Sequence, residues 1–250
     1  MALHRIRDVM GMPVAVHVVC EEAKEGWLDE VYDDFVALDE VFSPFRSDSA
    51  VSRINRGELL EADSGQLVRQ AMHLCRLYEQ ATNGYFSAWL GGTFNPSGLV
   101  KGWAIDRATS ILAQKGCRNF FVDAGGDVQV RGVRDDGRPW RVGIRHPVSR
   151  DRVARVIEAR DLAVATSGTY EKGDHIFDPH TQTAVSHLLS FTVIGPDILQ
   201  ADVYATAGFA MGDGGLAFIN RVPGYEAYAI DRELMASWTS GFGQYCAPAT

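Results

Sequence analysis

Two short apolar segments flank a pair of glycines in the stretch Asn119-Phe-Phe-Val-Asp-Ala-Gly-Gly-Asp-Val-Gln-Val-Arg131. Residues 120–123 and 128–131 are predicted strands, and Ala124-Gly125-Gly126-Asp127 is the turn between them. Outward from this stretch, helical periodicity dominates the half of the chain that precedes it, and strand patterns dominate the half that follows. This segregation favours an α+β fold over a doubly wound sheet.

The two glycines allow two interpretations. Gly-Gly and Gly-Asp are common in tight hairpin turns, so the stretch can be purely structural. Glycine also lets a ligand approach the backbone and its N–H groups closely, which makes Gly125 and Gly126 candidate cofactor contacts. The dinucleotide fingerprint GxGxxG is excluded, because no third glycine follows and no helix begins there.

The rest of the pattern predicts the other elements. The apolar positions Leu28, Val31, Phe35, Leu38 and Phe42 recur at three- and four-residue steps, as on the buried stripe of a helix. Helices are predicted over residues 28–42, 49–55, 67–78, 100–116 and 201–211, and further strands over residues 14–20, 141–145, 153–159, 162–165, 190–194 and 225–230. Residues 84–98 are predicted to form a loop. Since the sequence shows no repeat and no linker, residues 1–250 are predicted to form a single domain.

Composition limits the class of protein and of partner. Hydrophobic residues make up 46% and charged residues 22% of the 250 residues, which excludes disorder or a coiled coil as a description of the whole chain. The 24 Lys and Arg against 32 Asp and Glu give a net charge of −8, which argues against a nucleic-acid partner. An acidic chain can still bind phosphate where a metal ion supplies positive charge.

Location and redox state are also constrained. The sequence has no apolar run of the ~20 residues that a membrane span needs. The first residues lack the apolar core and the cleavage site of a signal peptide, so the sequence predicts a cytoplasmic protein. The cysteines are widely spaced and form no CxxC or metal-binding pattern, so they are predicted to be free buried thiols. They are Cys20, Cys75, Cys117 and Cys246.

Two segments carry groups suited to binding or proton transfer. Thr166-Ser-Gly-Thr-Tyr170 offers hydroxyls and backbone N–H groups that can bind phosphate or flavin edges; alternatively it is a Ser/Thr-rich turn. His175-Ile-Phe-Asp-Pro179 can supply a base and the group that orients it; alternatively His175 is a histidine satisfied by hydrogen bonds.

Two further positions suit a metal ion or a phosphate. Asp202 and Thr206 lie at i and i+4 of a predicted helix, and their oxygens are hard ligands suited to Mg²⁺. Alternatively, they are a helix N-terminal Asp and a buried Thr bonded to its own helix. Lys101, beside Gly102 at the start of a predicted helix, can meet a phosphate as a point charge or be a surface residue.

In their order along the chain, these segments resemble the ApbE family, the FAD:protein FMN transferases. The resemblance covers about residues 10–212. The matching blocks are Met10-Gly11, Phe42-Ser43 through Ser49 with Ser52-Arg53 and Asn55, Thr82-Asn-Gly-Tyr-Phe86, Gly98-Leu-Val-Lys-Gly-Trp-Ala-Ile-Asp106, Ala124-Gly-Gly-Asp127, Thr166-Ser-Gly168, His175-Ile-Phe-Asp-Pro179, and Ala201-Asp202 with Thr206.

The resemblance implies one compact α+β unit with FAD in a cleft between its helical and sheet-rich parts. It implies Mg²⁺-dependent cleavage of the FAD pyrophosphate, transfer of FMN through a phosphoester to a Thr of an acceptor flavoprotein, and release of AMP. His175 and Asp202 are the implied catalytic residues, and Asp202, Thr206 and the carbonyl of Val100 are the implied metal ligands. The residues implied to contact FAD are Met10, Phe45, Tyr85, Phe86, Ser87, Asn95, Lys101, Gly125, Gly126, Asp127, Thr166, Ser167 and His175.

Three positions depart from the family pattern. Phe45 stands where the family usually has Tyr, and it keeps the ring without the hydroxyl. Ser87 and Asn95 stand where the family usually has Asp, so two negative charges are lost. These changes leave two alternatives: an FAD pyrophosphatase that releases FMN and AMP, and a non-catalytic FAD-binding protein. The retained Asp202 and Thr206 argue against a pure binder, which has no need of a metal pair.

Overall fold

The N-terminal segment is an antiparallel hairpin in the computed structural model, which describes residues 2–149, 151–169, 177–185 and 187–248. Strand β1 (Ala2–Val9) pairs along its whole length with β2 (Met12–Val19). The turn consists of Met10 at φ 55 and Gly11 at φ 72, the left-handed conformations that two-residue hairpin loops require. The predicted early strand corresponds to β2. Strand β1 escaped prediction because its charged, mostly exposed residues show no apolar alternation, as is common for edge strands.

In the described part of the chain, the strands form one large sheet, which includes β1 and β2, and three small hairpins. The strands after β2 are β3 (Trp89–Leu90), β4 (Thr93–Phe94), β5 (Phe120–Ala124), β6 (Asp127–Arg131), β7 (Trp140–Arg145), β8 (Val153–Ala159), β9 (Ala163–Gly168), β10 (Phe177–Asp178), β11 (Thr183–Ala184), β12 (Leu188–Gly195), β13 (Glu226–Asp231) and β14 (Ala236–Trp238). Within the described ranges, eight strands form the large sheet in the order β1-β2-β5-β6-β9-β12-β13-β14. Its neighbours pair antiparallel throughout.

The helices cover one face of this sheet. They are α1 (Glu25–Phe42), α2 (Ala50–Asn55), α3 (Gln66–Ala81), α4 (Ser97–Gln114), α5 (Ile198–Met211) and α6 (Gly214–Ile219). The stripe predicted for α1 is buried, and Ser49 caps α2 by accepting a 3.1 Å hydrogen bond from the Ser52 N–H. None of the helices in the described part of the chain combines the length and apolar character that crossing a membrane requires.

Two apolar cores lie on opposite faces of the large sheet. On the helical face, Val16 of β2 and Val122 of β5 pack with the buried sides of α1, α4 and α5. On the other face, Val130 of β6 and Val164 of β9 pack against the β7–β8 hairpin. The second core therefore holds β7 close to the strands that flank the Gly125–Gly126 turn.

The predicted α+β fold is confirmed, and the differences are local. Helix α4 begins at Ser97 rather than at residue 100, because Asn95 accepts a 3.1 Å hydrogen bond from the Ser97 N–H and starts the turn. The predicted loop over residues 84–98 contains the short β3–β4 hairpin. The cysteines are free thiols, as predicted, but the predicted burial holds only for Cys75 and Cys117, because Cys20 and Cys246 are half-buried.

Candidate active site

The Gly125–Gly126 turn joins β5 to β6 at one end of the large sheet. Both glycines have positive φ, 61° and 95°, so the hairpin interpretation of this stretch holds. Their N–H groups are engaged within the protein: Gly125 donates to the Pro13 carbonyl at 3.0 Å, and Gly126 donates to Asp123 Oδ1 at 2.9 Å. The space beside the Gly126 Cα is open, because a Cβ placed there would have no atom within 4 Å. A ligand can therefore come close to the backbone of this turn, but the N–H groups of the two glycines already have acceptors within the protein.

Two buried carboxylates and one ammonium group meet beside this turn. Asp127 opens β6, Asp202 lies in α5, and both are nearly inaccessible to solvent, at 2% and 3% exposure. The Lys101 ammonium from α4 forms an ion pair with Asp127 Oδ2 and lies 3.5 Å from Asp202 Oδ1. We call Lys101, Asp127 and Asp202 the charged cluster. Its formal charge is −1, so it attracts a cation.

Backbone N–H groups fix both carboxylates. Asp127 Oδ1 accepts a 2.9 Å hydrogen bond from Thr166 N, and Asp202 Oδ2 accepts a 2.8 Å hydrogen bond from Gly102 N. The second contact needs glycine, because a Cβ at Gly102 would lie 2.8 Å from the Asp202 Cβ. The sequence analysis did not predict that Gly102 contacts Asp202, although a glycine directly after Lys101 indicated a close approach at this point of the helix.

The buried setting changes the proton affinity of Asp202. Burial raises the pKa of its carboxyl to about 7; Lys101 opposes this shift, and the charge of Asp127 adds to it. A carboxyl whose pKa is raised by burial and by a neighbouring charge is typical of functional sites.

Hydroxyl groups lie on the α5 and β9 side of the charged cluster. Thr206 lies one turn after Asp202 on α5, and its Oγ1 is 3.2 Å from Ser167 Oγ. Thr166 Oγ1 is 2.9 Å from Thr192 Oγ1. Val100, whose carbonyl is the third predicted metal ligand, is buried in the first turn of α4 directly before Lys101. The predicted metal ligands thus come from the two helices that pack against each other at this site.

Other predicted FAD contacts make local interactions. Phe86 is buried, and its ring lies 3.2 Å from a Cβ placed on Gly98. The Tyr85 ring contacts the His180 ring edge-on at 4.6 Å. Ser87 Oγ donates to Glu79 Oε1 at 2.7 Å, so a carboxylate stands beside the position where the family usually has one.

The last predicted positions lie in turns or outside the described residues. Phe45 is 96% exposed, and Asn95 Oδ1 accepts the Ser97 N–H in the turn just before α4. Met10 is a turn residue of the first hairpin. His175, predicted as a catalytic base and FAD contact, lies outside the described residues.

A cleft of about 290 Å³ has Asp127 of the charged cluster in its wall, whereas Lys101 and Asp202 do not line it. It lies between the large sheet and β7, and Gly126, Asp127 and Thr166 form part of its wall. The Phe121 and Trp140 rings line it in an edge-on pair with centroids 5.3 Å apart. This lining combines aromatic surface with charged and hydrogen-bonding groups, which suits a ligand with ring systems and phosphates.

Sequence reasoning missed the β7 wall of this cleft. Arg141 and Arg145 line it, and Trp140 anchors the strand by donating from Nε1 to the Arg131 carbonyl at 3.0 Å. The signal was the alternation of apolar and arginine residues over 140–145, which was interpreted as a strand without a functional face.

A comparison with known protein families shows which family the chain belongs to. The model of the ApbE family matches residues 91–229. The chain belongs to the ApbE family. The match confirms the predicted resemblance from Asn95 onward, whereas the blocks at Met10, Phe45 and residues 82–86 precede the matched range.

Curated ApbE relatives and solved structures agree with this assignment. The chain is 34% identical over 140 residues to an FAD:protein FMN transferase of Vibrio cholerae, and the alignment covers 51% of this chain and 42% of that protein. It is 31% identical over 147 residues to the protein of the same name from Escherichia coli K12, covering 55% and 42%. The matched region thus spans about two fifths of the length of these relatives.

The fold extends over nearly the whole described chain. The apo form of the flavinyl transferase ApbE from Pseudomonas stutzeri superposes with a TM-score of 0.85 at 24% identity, covering 100% of this chain and 98% of that one. The flavin transferase ApbE from Vibrio cholerae gives a TM-score of 0.84 at 21% identity, covering 98% and 99%.

Proposed function

We propose that this chain is a Mg²⁺-dependent FAD:protein FMN transferase. It cleaves the FAD pyrophosphate, attaches FMN through a phosphoester to a Thr of an acceptor flavoprotein, and releases AMP. The names that the ApbE relatives carry support this proposal. The observation that carries it is the charged cluster of Lys101, Asp127 and Asp202, of which Asp127 lines a cleft of aromatic and arginine side chains.

The donor set fits Mg²⁺. The charged cluster has one more carboxylate than ammonium groups, and a hydroxyl at Thr206 lies one helical turn from Asp202. Carboxylate, hydroxyl and carbonyl oxygens are the ligands that Mg²⁺ prefers. In the proposal Asp202, Thr206 and the carbonyl of Val100 hold the ion. When bound, Mg²⁺ neutralises charge on the pyrophosphate and helps to orient it for attack.

In the proposal, the other residues of the charged cluster bind and orient the phosphates of FAD. Lys101 places a positive charge between the two carboxylates, where it also attracts phosphate oxygens. Asp127, held by the Thr166 N–H, keeps Lys101 in position. The open space at Gly126 admits the flavin nucleotide to the cleft wall without a side chain in between.

His175 is the proposed proton acceptor for the attacking Thr hydroxyl. A positioned base contributes typically ~10²- to 10⁴-fold to a rate. We expect His175→Ala to slow FMN transfer by about that factor without abolishing FAD binding, as measured by acceptor mass against time and by flavin fluorescence quenching. Transfer at the wild-type rate would remove His175 from the catalytic residues.

The raised pKa of Asp202 predicts a pH-dependent Mg²⁺ affinity. Mg²⁺ binds the ionised carboxylate, so binding releases a proton whenever the pH lies below the pKa of about 7. We expect affinity to fall about tenfold for each pH unit below that value and to level off above it. Calorimetry at several pH values, in buffers of different ionisation enthalpy, measures both effects; a pH-independent affinity with no proton release contradicts them.

The activity itself is tested by following two products. Purified protein is incubated with FAD and Mg²⁺, with and without a domain that carries a candidate acceptor Thr. AMP release together with an acceptor mass gain equal to FMN less one water molecule supports the transferase, because the Thr hydroxyl displaces AMP from FAD. AMP and free FMN in equal amounts, with no modified acceptor, favour the pyrophosphatase that the changes at Ser87 and Asn95 suggested. Intact FAD throughout favours the non-catalytic binding protein.

A further inference from the structure

Two thiols meet where the N-terminal hairpin joins the helical layer. Cys20 directly follows β2, and Cys117 lies in the connection between α4 and β5. Cys117 belongs to the core on the helical face, Cys20 packs against that core, and the nearby Cys20 thiol helps to raise the pKa of the Cys117 thiol. Sequence spacing gave no sign of this pair, because nearly one hundred residues separate the two cysteines.

Backbone contacts hold both residues in place. The β2–β5 ladder pairs Val18 with Phe120, and the Val19 N–H extends it by donating to the Asn119 carbonyl at 2.8 Å. Cys117 is fixed by the end of α4, since its N–H donates to the Leu112 carbonyl at 3.1 Å after Gly116 at φ 86. This is the bonding pattern of a glycine-terminated helix end.

The Cys20 and Cys117 side chains face the same side of the large sheet. Val16 and Val18 of β2 face the helical core, so Cys20, two residues further along, faces it as well. Phe120 opens β5 on the same face, and Cys117 reaches that face from the end of α4. A disulfide requires two cysteines on neighbouring segments, and Cys20 and Cys117 lie just beyond the paired ends of β2 and β5.

We propose that Cys20 and Cys117 are a redox modification site that low-molecular-weight disulfides convert into an intramolecular disulfide. The Cys20 thiolate attacks one sulfur of the oxidant RSSR, which forms a mixed disulfide and releases one RS⁻. The Cys117 sulfur then attacks the Cys20 sulfur and displaces the second RS⁻. In total, two protein thiols and RSSR become one protein disulfide and two RSH.

The accessibility of the two thiols sets this order. Cys20 is half-buried and reachable, whereas Cys117 is 4% exposed. Burial also raises the pKa of the Cys117 thiol to about 11, which makes it a poor first nucleophile. The disulfide ties the end of β2 to the end of α4. Because it closes a long loop, it restricts the unfolded chain strongly.

The experiment treats the reduced full-length chain with oxidised glutathione at about pH 8, near the pKa of an ordinary thiol. We expect a mass decrease equal to two hydrogen atoms, a fall in free thiols from four to two, and a Cys20–Cys117 linked peptide after digestion. The melting temperature rises on oxidation and returns on reduction. Cys246→Ser is the matched control and keeps all of these responses, whereas Cys20→Ser loses them.

Three results would overturn the proposal. They are a stable glutathione adduct on Cys20 with no second step, a linked peptide that involves Cys75 or Cys246, and disulfide-linked dimers in place of the intramolecular product. Peptide mapping of the wild-type chain decides between these outcomes without any variant. None of the measurements uses flavin transfer, so the proposal stands or falls independently of the proposed function.

Discussion

Asp202→Asn lowers FMN transfer roughly 10³-fold or more while leaving the folded protein at least as stable as the wild type. The loss follows because an amide is a much weaker ligand for Mg²⁺ than a carboxylate, and the metal contributes several kcal/mol to transition-state stabilisation. Stability is retained because the variant keeps an oxygen that accepts the Gly102 N–H and leaves Lys101 paired with Asp127. It also removes a buried carboxylate that burial and Asp127 disfavour as an anion.

The variant Asp202→Ala, compared with Asp202→Asn, separates the role of the Asp202 side chain in metal binding from its role in packing. It also removes the ligand, but it leaves the Gly102 N–H without its acceptor and a small cavity in the α4–α5 contact. We expect both variants to bind FAD and to lose turnover, and only the alanine variant to melt at a lower temperature. Turnover near the wild-type level in the asparagine variant would remove Asp202 from the metal site.

Gly102→Ala disrupts the site through the backbone. The new methyl group would lie 2.8 Å from the Asp202 Cβ and 3.0 Å from the Ile198 carbonyl, so α4 and α5 must separate or Asp202 must move. Such overpacking costs typically about 1–3 kcal/mol of unfolding free energy. Because the Gly102 N–H and Asp202 Oδ2 are displaced together, we expect a large fall in both Mg²⁺ affinity and turnover, measured by denaturant unfolding, calorimetry and AMP release.

Gly26→Ala is the matched control. Gly26 lies in the first turn of α1, and no atom is within 4 Å of a Cβ placed there. Alanine in a helix is favoured over glycine by up to about 1 kcal/mol, so this variant should be as stable as the wild type or more so, with unchanged turnover. If Gly102→Ala behaves like Gly26→Ala, the close approach of α4 to Asp202 is not required.

The sequence predicted those elements whose apolar periodicity is strong. The stripe of α1 and the bounds of β8 follow directly from residue patterns, since burial on one face imposes that spacing. Strand β1 was missed because an exposed edge strand needs no apolar face, and its pairing with β2 depends on the Met10–Gly11 turn.

Residue spacing predicted only those parts of the candidate site whose residues are close together along the chain. Asp202 and Thr206 share a helix face, so i, i+4 spacing links them, whereas Asp127 joins them only through the pairing of β6 with β9. Lys101 was proposed to meet phosphate, but its ion pairs with Asp127 and Asp202 arise from tertiary packing that local sequence does not encode. The Trp140 wall of the cleft depends on how the β7–β8 hairpin docks on the sheet, which residue patterns leave open.

The intact mass of an acceptor domain tests the central claim most directly. The domain is incubated with this chain, FAD and Mg²⁺, in parallel with a copy of the domain in which the candidate Thr is replaced by Val, and with the Asp202→Asn variant in place of the wild-type chain. The account predicts a mass gain equal to FMN less one water molecule, with one AMP released per modified domain, only where the Thr and Asp202 are both present. An unmodified acceptor in every reaction, across a panel of flavoprotein domains with exposed Thr residues, would contradict it.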